Sequence, residues 1–282
     1  MSIQILRAAA ALYALSAVFY VGYFSRPRHA RLATAGLWVM VAAFVVHAAA
    51  IGEGCREFGG KEFFTLRGGV VLATWLGAGA FLVLQRMYRL PSLGAFVLPL
   101  LQVALIPTTL VDRTHPEVPP EVIRNAAFHV TAAILAVALF GIAFGVALMY
   151  LLQEREVKGK RFGALFSRLP SLDSLDQLNQ RLVRAGFAVF TVALLAGTLN
   201  ASVIWKSAWS WDPQQITSVL VWLLYGAMVQ LRRLGWHGRR YAILTLVGFL
   251  VLAGTMGALR VFPGATRHTG SYGTETGAGG AQ

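Results

Sequence analysis

Eight apolar stretches alternate with polar segments along the chain, at residues 8–24, 32–52, 68–84, 91–111, 126–152, 185–204, 215–231 and 241–259. None of the eight contains a Lys, Arg, Asp or Glu; those residues all fall in connections or tails. About 20 predominantly apolar residues suffice for a helix to cross a hydrocarbon core of roughly 30 Å. Lipid offers backbone N–H and C=O groups no partner, so apolar runs of this length read as helices. The pattern predicts an all-α polytopic membrane protein of about eight transmembrane helices. The first run, behind Arg7, lacks a convincing small-residue cleavage site before the Arg26–Arg31 cluster and reads as a retained helix.

Composition agrees. Of 282 residues, 56% are hydrophobic and 13% charged, and mean hydropathy is +0.61; a soluble domain carries roughly 25% charged residues. The formal net charge of +13 becomes informative once it is located. Residues 25–31 carry three Lys or Arg, 85–90 two, 153–184 seven and 232–240 four, while the alternate connections and the tails hold nine of the 25. Acidic residues lean the other way, with four on the first side and eight on the second. The positive-inside rule makes the Arg-rich side cytoplasmic and puts both termini outside, in the cytoplasmic (inner) membrane. Basic charge is therefore topological, and nucleic acid is not an expected partner.

The longest cytoplasmic connection, 153–184, contains SLDSLDQLNQRL. It reads either as a short amphipathic helix lying on the membrane, with Leu172, Leu175, Leu178 and Leu182 on one face, or as a solvated linker. The end of the chain, TGSYGTETGAGGAQ, reads as a flexible tail. There is no repeat at a fixed period, no Walker loop and no dinucleotide fingerprint, and Cys55 has no second cysteine to pair with.

With topology assigned, four of the six histidines fall on the outer half: His47 near the outer end of the second stretch, His115 in a loop, His129 opening the fifth, and His268 in the tail. His29 and His237 lie in Arg-rich connections, where a surface role suffices. The segment Trp205-Lys206-Ser207-Ala208-Trp209-Ser210-Trp211-Asp212-Pro213 stands before the seventh stretch, on the same side. Tryptophan favours the membrane interface, and Asp-Pro is a helix start, with Asp212 as N-cap. A lone histidine such as His47 on an apolar helix is commonly a hydrogen-bonded core residue. Yet indoles also stack on flat macrocycles, and imidazoles from separate segments ligate iron from two faces, so the combination also suits haem.

The tryptophan segment resembles the WWD signature, approximately WGxxWxWDPKE, of haem-handling membrane proteins in cytochrome c maturation. Trp205, Trp209, Trp211, Asp212 and Pro213 match at its spacing. The likeness extends through FHVTAAILAVALFGIAFGVALMYLLQEREVKGK and VWLLYGAMVQLRRLGWHGRRYAILTLVGFLVLAG, and is looser over the first half. The type is CcsA/ResC, and in particular its compact eight-helix HemX-like relatives. The resemblance implies a four-helix N-terminal portion (1–125), a WWD-containing assembly domain (126–262) and an outer tail (263–282). It implies that the tryptophans hold haem at the outer surface between two histidines, His129 and His268, the latter just after Pro263-Gly264. His47 would correspond to a histidine that receives haem within the membrane, and His115 is the substitute for His129. Lys206 stands where the family usually has Gly, and Gln214-Gln215 where it has Lys-Glu. Lys206, Arg267 and Arg124 are candidates to meet haem propionates, and each serves equally well as an interface anchor.

The implied function is haem transport and presentation for cytochrome c assembly, with apocytochrome c and a ResB-like membrane protein as partners. The protein would be a haem-handling component of a holocytochrome c synthase, with no catalytic constellation of its own. The alternatives are a HemX-like regulator of tetrapyrrole biosynthesis, a haem b electron-transfer subunit ligated by His47 and His129, and a transporter with a neutral pathway.

Overall fold

The computed structural model describes residues 2–26, 29–111, 118, 120–160, 164–204, 207 and 209–261. Among them are nine α-helices, one 3-10 turn and no strand. The helices are α1 (Ser2–Ser25), α2 (Ala30–Phe58), α3 (Leu66–Tyr88), α4 (Pro91–Thr108), α5 (Pro120–Lys158), α6 (Ala164–Arg168), α7 (Leu172–Ile204), α8 (Pro213–Arg233) and α9 (Arg239–Val261), with the 3-10 turn at Lys61–Phe64.

Seven helices are long and apolar enough to cross a membrane. The stretch expected to be the seventh span does form a helix, α8, but does not meet that measure. Gln214, Gln215, Thr217, Ser218, Gln230, Arg232 and Arg233 dilute its apolar residues. At 1.5 Å per residue, the 39 residues of α5 reach roughly 58 Å, so that helix is far longer than a hydrocarbon core.

Helix ends follow local chemistry. Asp212 caps α8, its Oδ1 accepting from the Gln214 N–H at 2.8 Å, and Pro213 takes the first helical position, which needs no N–H. Thr65 caps α3 through the Gly68 N–H at 3.0 Å. α2 runs past the expected 52 to Phe58 and stops at Gly59 and Gly60, both with positive φ.

The segment 171–182 is neither a surface helix nor a linker. It is the first third of α7, and Leu175, Leu178 and Leu182 are buried in the core. The reason is its polar face. Asp176 takes both Arg232 guanidinium nitrogens (2.9 and 2.6 Å) and the Gly238 N–H (3.0 Å), tying α7 to the α8–α9 turn.

The chain packs as two groups of helices. In the first, Tyr20 of α1 lies edge-on to Phe81 of α3 at 5.8 Å, against Gly36 and Gly94. In the second, Phe140 of α5 stacks on Tyr225 of α8 at 3.6 Å and lies against Gly186 of α7. A Cβ at Gly94 or Gly186 would stand 2.6 Å from the neighbouring ring. α5 joins the groups, touching α3 and α4 on one side and α7 and α9 on the other.

Polar contacts collect at two ends. Arg181 with the Tyr88 hydroxyl (2.9 Å), Asp176 with Arg232, and Glu154 with Arg239 (3.8 Å) bring the connections predicted to be Arg-rich to one end. At the other, Arg67 donates to Thr108 O (2.8 Å) and pairs with Glu62 (2.7 Å), and Arg7 donates to Thr109 O at 3.3 Å.

Candidate functional site

His129 lies ten residues into α5, facing α7. Its Nδ1 is 2.7 Å from the carbonyl oxygen of Ala193. A carbonyl only accepts, so Nδ1 carries the proton, and the Nε2 lone pair is the one left for a ligand. The ring rests on Gly197, where a Cβ would approach Cε1 to 2.6 Å. Ala193 and Gly197 are four apart on one face of α7, so a small-residue pair seats the imidazole and its carbonyl orients it. From these two residues α7 runs a further 11 and 7 positions to Ile204, roughly 16 and 10 Å along its axis, and the tryptophan segment follows.

In that segment Trp209 and Trp211 meet edge to face, with centroids 5.6 Å apart and planes at 82°. Trp209 is 41% and Trp211 75% exposed, whereas Asp212 is 4% exposed. This split has a backbone cause. Trp211 adopts φ of 56°, a left-handed conformation uncommon for a bulky residue, which turns its indole out as Asp212 turns in to cap α8. Gln215 clamps the turn, its Oε1 accepting from the Ser210 N–H (2.9 Å) and hydroxyl (3.1 Å), and Ser207 donates to Trp209 O at 2.7 Å. α8 is held to α7 by Trp222, whose Nε1–H donates to Thr191 Oγ1 at 2.9 Å.

His47 is elsewhere, in the first group of helices. It is fully buried, with Nδ1 3.4 Å from the Tyr13 hydroxyl, the two rings edge-on at 5.7 Å, and Nε2 without a hydrogen-bond partner. One turn along α2, Ala50 and Ile51 line a crevice with Leu6, Phe63, Glu62 and Arg67.

The structure thus brings Trp209, Trp211 and Asp212 together and orients His129 of α5 against α7, the helix that leads to them. No hydrogen bond or ring contact joins His129 to either tryptophan, and His47 belongs to the other group of helices. His115, Trp205, Lys206, Arg267 and His268 lie outside the described residues, and Arg124 is an exposed residue of α5. Sequence reading missed Ala193, Gly197 and Tyr13, although the Ala193–Gly197 spacing was a usable signal. It read the departure at Gln214-Gln215 as favouring a HemX-like regulator and gave Gln215 no structural role, where the structure gives it the clamp.

A sequence model of the family described as Cytochrome C assembly protein matches residues 5–258. The chain belongs to that family. It is 30% identical over 210 residues to the cytochrome c biogenesis protein CcsA of Prochlorococcus marinus (strain NATL2A), covering 64% of this chain and 67% of that protein. The CcsA of Porphyra purpurea is 39% identical over 87 residues, 30% of this chain and 27% of that one. The CcsA of Chlamydomonas reinhardtii is 32% identical over 127 residues, 44% and 34%. The matches thus span from about a quarter to two thirds of these curated relatives.

The haem that the family implies fits the residues present. His129 has an oriented imidazole with Nε2 available, and His47 has a buried nitrogen without a partner. Two exposed indoles offer apolar surface beside a rigid helix start.

Proposed function

We propose that this protein binds haem in the membrane, carries it outward and presents it at the outer face for cytochrome c assembly. The Arg-rich end is cytoplasmic and the Trp-bearing end faces outside, with all eight long helices, α8 included, crossing the membrane. Trp205, Trp209 and Trp211 form the platform. His129 and His268 would hold the iron, and Lys206, Arg124 or Arg267 would meet the propionates. His47 receives haem earlier, since a buried imidazole nitrogen without a partner costs about 1–3 kcal/mol that a ligand would recover. Haem supplies the vinyl groups that react with apocytochrome thiols; the protein supplies position and orientation. An apocytochrome c and a ResB-like membrane protein are the proposed partners.

The observation that carries this reading is the hydrogen bond from His129 Nδ1–H of α5 to Ala193 O of α7, which presets the ring as a metal ligand against the helix leading to the tryptophans. The clamp made by Gln215 supports it further. An amide oxygen accepts from Ser210 as a carboxylate would, so Gln in place of Glu keeps the turn. The test is the absorption spectrum and haem content of the purified protein, with cytochrome c maturation in cells, for wild type and for His129→Ala with His268→Ala. Loss of both haem and maturation is expected. Unchanged haem and maturation sink the reading. Normal c-type cytochromes with disturbed porphyrin levels in a deletion strain would select a regulator of tetrapyrrole synthesis instead.

A further inference from the structure

At the Arg-rich end an open cleft of about 140 Å³ lies between α7, α8 and α9, lined by Gln180, Arg184, Val229, Arg232, Arg233 and Tyr241. Three of these six side chains are guanidinium groups. Arg232 is committed, held by Asp176 through two hydrogen bonds and lying over the Tyr241 ring at 5.3 Å. Among the described residues, Arg184 has no acidic partner and Arg233 meets only the neutral amide oxygen of Gln230, at 3.3 Å. No carboxylate is among the described residues that line the cleft, and Asp176 beside it offsets only Arg232, so the lining carries a surplus of two positive charges.

Position decides what kind of anion suits it. Arg184 immediately precedes the apolar stretch 185–204, Arg232 and Arg233 immediately follow 215–231, and Tyr241 opens 241–259. α7 and α8 thus place their arginines, and α9 its tyrosine, at one level, where hydrocarbon gives way to headgroups. Farther into the bilayer the same helices expose apolar side chains, including Val192, Leu223, Ile243 and Val247. A soluble anion would use the arginines and leave that surface unused. An anionic amphiphile uses both.

We infer that this cleft is a binding site for the phosphate headgroup of an anionic phospholipid. Arg184 and Arg233 bind the phosphate oxygens, and Gln180 and the Tyr241 hydroxyl supply further hydrogen bonds. The acyl chains lie along the exposed apolar faces of α7, α8 and α9. The site is separate from the histidines and tryptophans at the opposite end, and it does not depend on what they bind.

Native mass spectrometry of the full chain tests this, after extraction and exchange with phosphatidylglycerol or phosphatidylcholine at equal concentration. Wild type should retain phosphatidylglycerol selectively. Arg184→Gln with Arg233→Gln should reduce that retention roughly tenfold or more, the scale of two interfacial arginines. Arg181→Gln, whose side chain binds Tyr88 outside the cleft, should leave it unchanged and controls for folding. Equal retention of the two lipids, or retention indifferent to the paired substitution, overturns the proposal. So does inorganic phosphate that displaces the lipid at comparable concentration, since it would mark a soluble-anion site.

Discussion

The two groups of helices are built with the same devices and differ in how they treat a histidine. Each has an aromatic ring seated on glycine, Tyr20 on Gly94 in the first and Phe140 on Gly186 in the second. Each has a buried ion pair at one end, Glu62–Arg67 in the first and Asp176–Arg232 in the second. Their histidines diverge. His129 is half-buried and fixed by a short bond to a backbone carbonyl, which cannot rotate away. His47 is fully buried and meets only a hydroxyl at 3.4 Å, with its other nitrogen unpartnered. A ring that must hold a ligand in one pose benefits from the first arrangement. A ring that takes a ligand and passes it on benefits from the second, whose partner can reorient.

The largest expected effect lies in the framework that supports this contrast. Asp176→Asn leaves the buried Arg232 charge and the Gly238 N–H short of an acceptor and should destabilise the protein by about 3–5 kcal/mol. The paired variant Asp176→Leu with Arg232→Met should recover most of that, because no lone charge is then buried. Thermal unfolding in detergent, followed by circular dichroism, measures both. If the single variant is as stable as wild type, the tie between α7 and the α8–α9 turn is not what holds the second group together.

Gly186→Ala and Gly94→Ala come next, with an expected loss of about 1–3 kcal/mol each, since the new methyl group must displace a packed ring. Similar losses in the two would confirm that the groups are packed alike. A loss confined to one would show that the other relaxes around the added carbon.

Gly197→Ala separates seating from stability. The added Cβ comes within 2.6 Å of the His129 ring, whose tip is the part able to move, so the fold should survive while the bond to Ala193 O is lost. Loss of an orienting partner typically costs 10–100-fold in metal affinity. Haem retention should therefore fall by roughly tenfold with little change in melting temperature. An unchanged haem content would mean that the Ala193 carbonyl does not orient a ligand, and the contrast between the two histidines would lose its functional meaning.

Much of this was legible in the sequence, and the failures have physical causes. Each apolar stretch became a helix because lipid-length apolar runs have no other way to satisfy their backbone. Asp212-Pro213 announced the start of α8 because capping is a local interaction. The leucines at 175, 178 and 182 showed a buried face but could not show what covers it: a membrane surface and a neighbouring helix ask for the same residues. Asp176 decided between them through Arg232, 56 positions away. The seat of His129 was hidden for a related reason. Its hydrogen-bond partner is a main-chain carbonyl, which any residue at 193 would present, and only the small side chains at 193 and 197 leave a trace.

Tyr13→Phe tests the weak side of the comparison and should have the smallest effect. At 3.4 Å the contact with His47 Nδ1 is longer than a well-formed hydrogen bond, so removing the hydroxyl should cost less than about 0.5–1.5 kcal/mol, the range for an ordinary one. The ring stays edge-on to His47 and keeps its packing, so the melting temperature should scarcely move. What changes is which nitrogen of His47 carries its proton, because among the described residues the hydroxyl is the only polar partner of either nitrogen. Nitrogen-15 spectra of labelled histidine report that directly. A tautomer equilibrium that shifts in Tyr13→Phe, beside a His129 signal that stays with its proton on Nδ1, would show one ring free to adapt and one fixed by the backbone. If both signals hold a single tautomer in both proteins, His47 is as constrained as His129, and the difference between the two groups is one of burial alone.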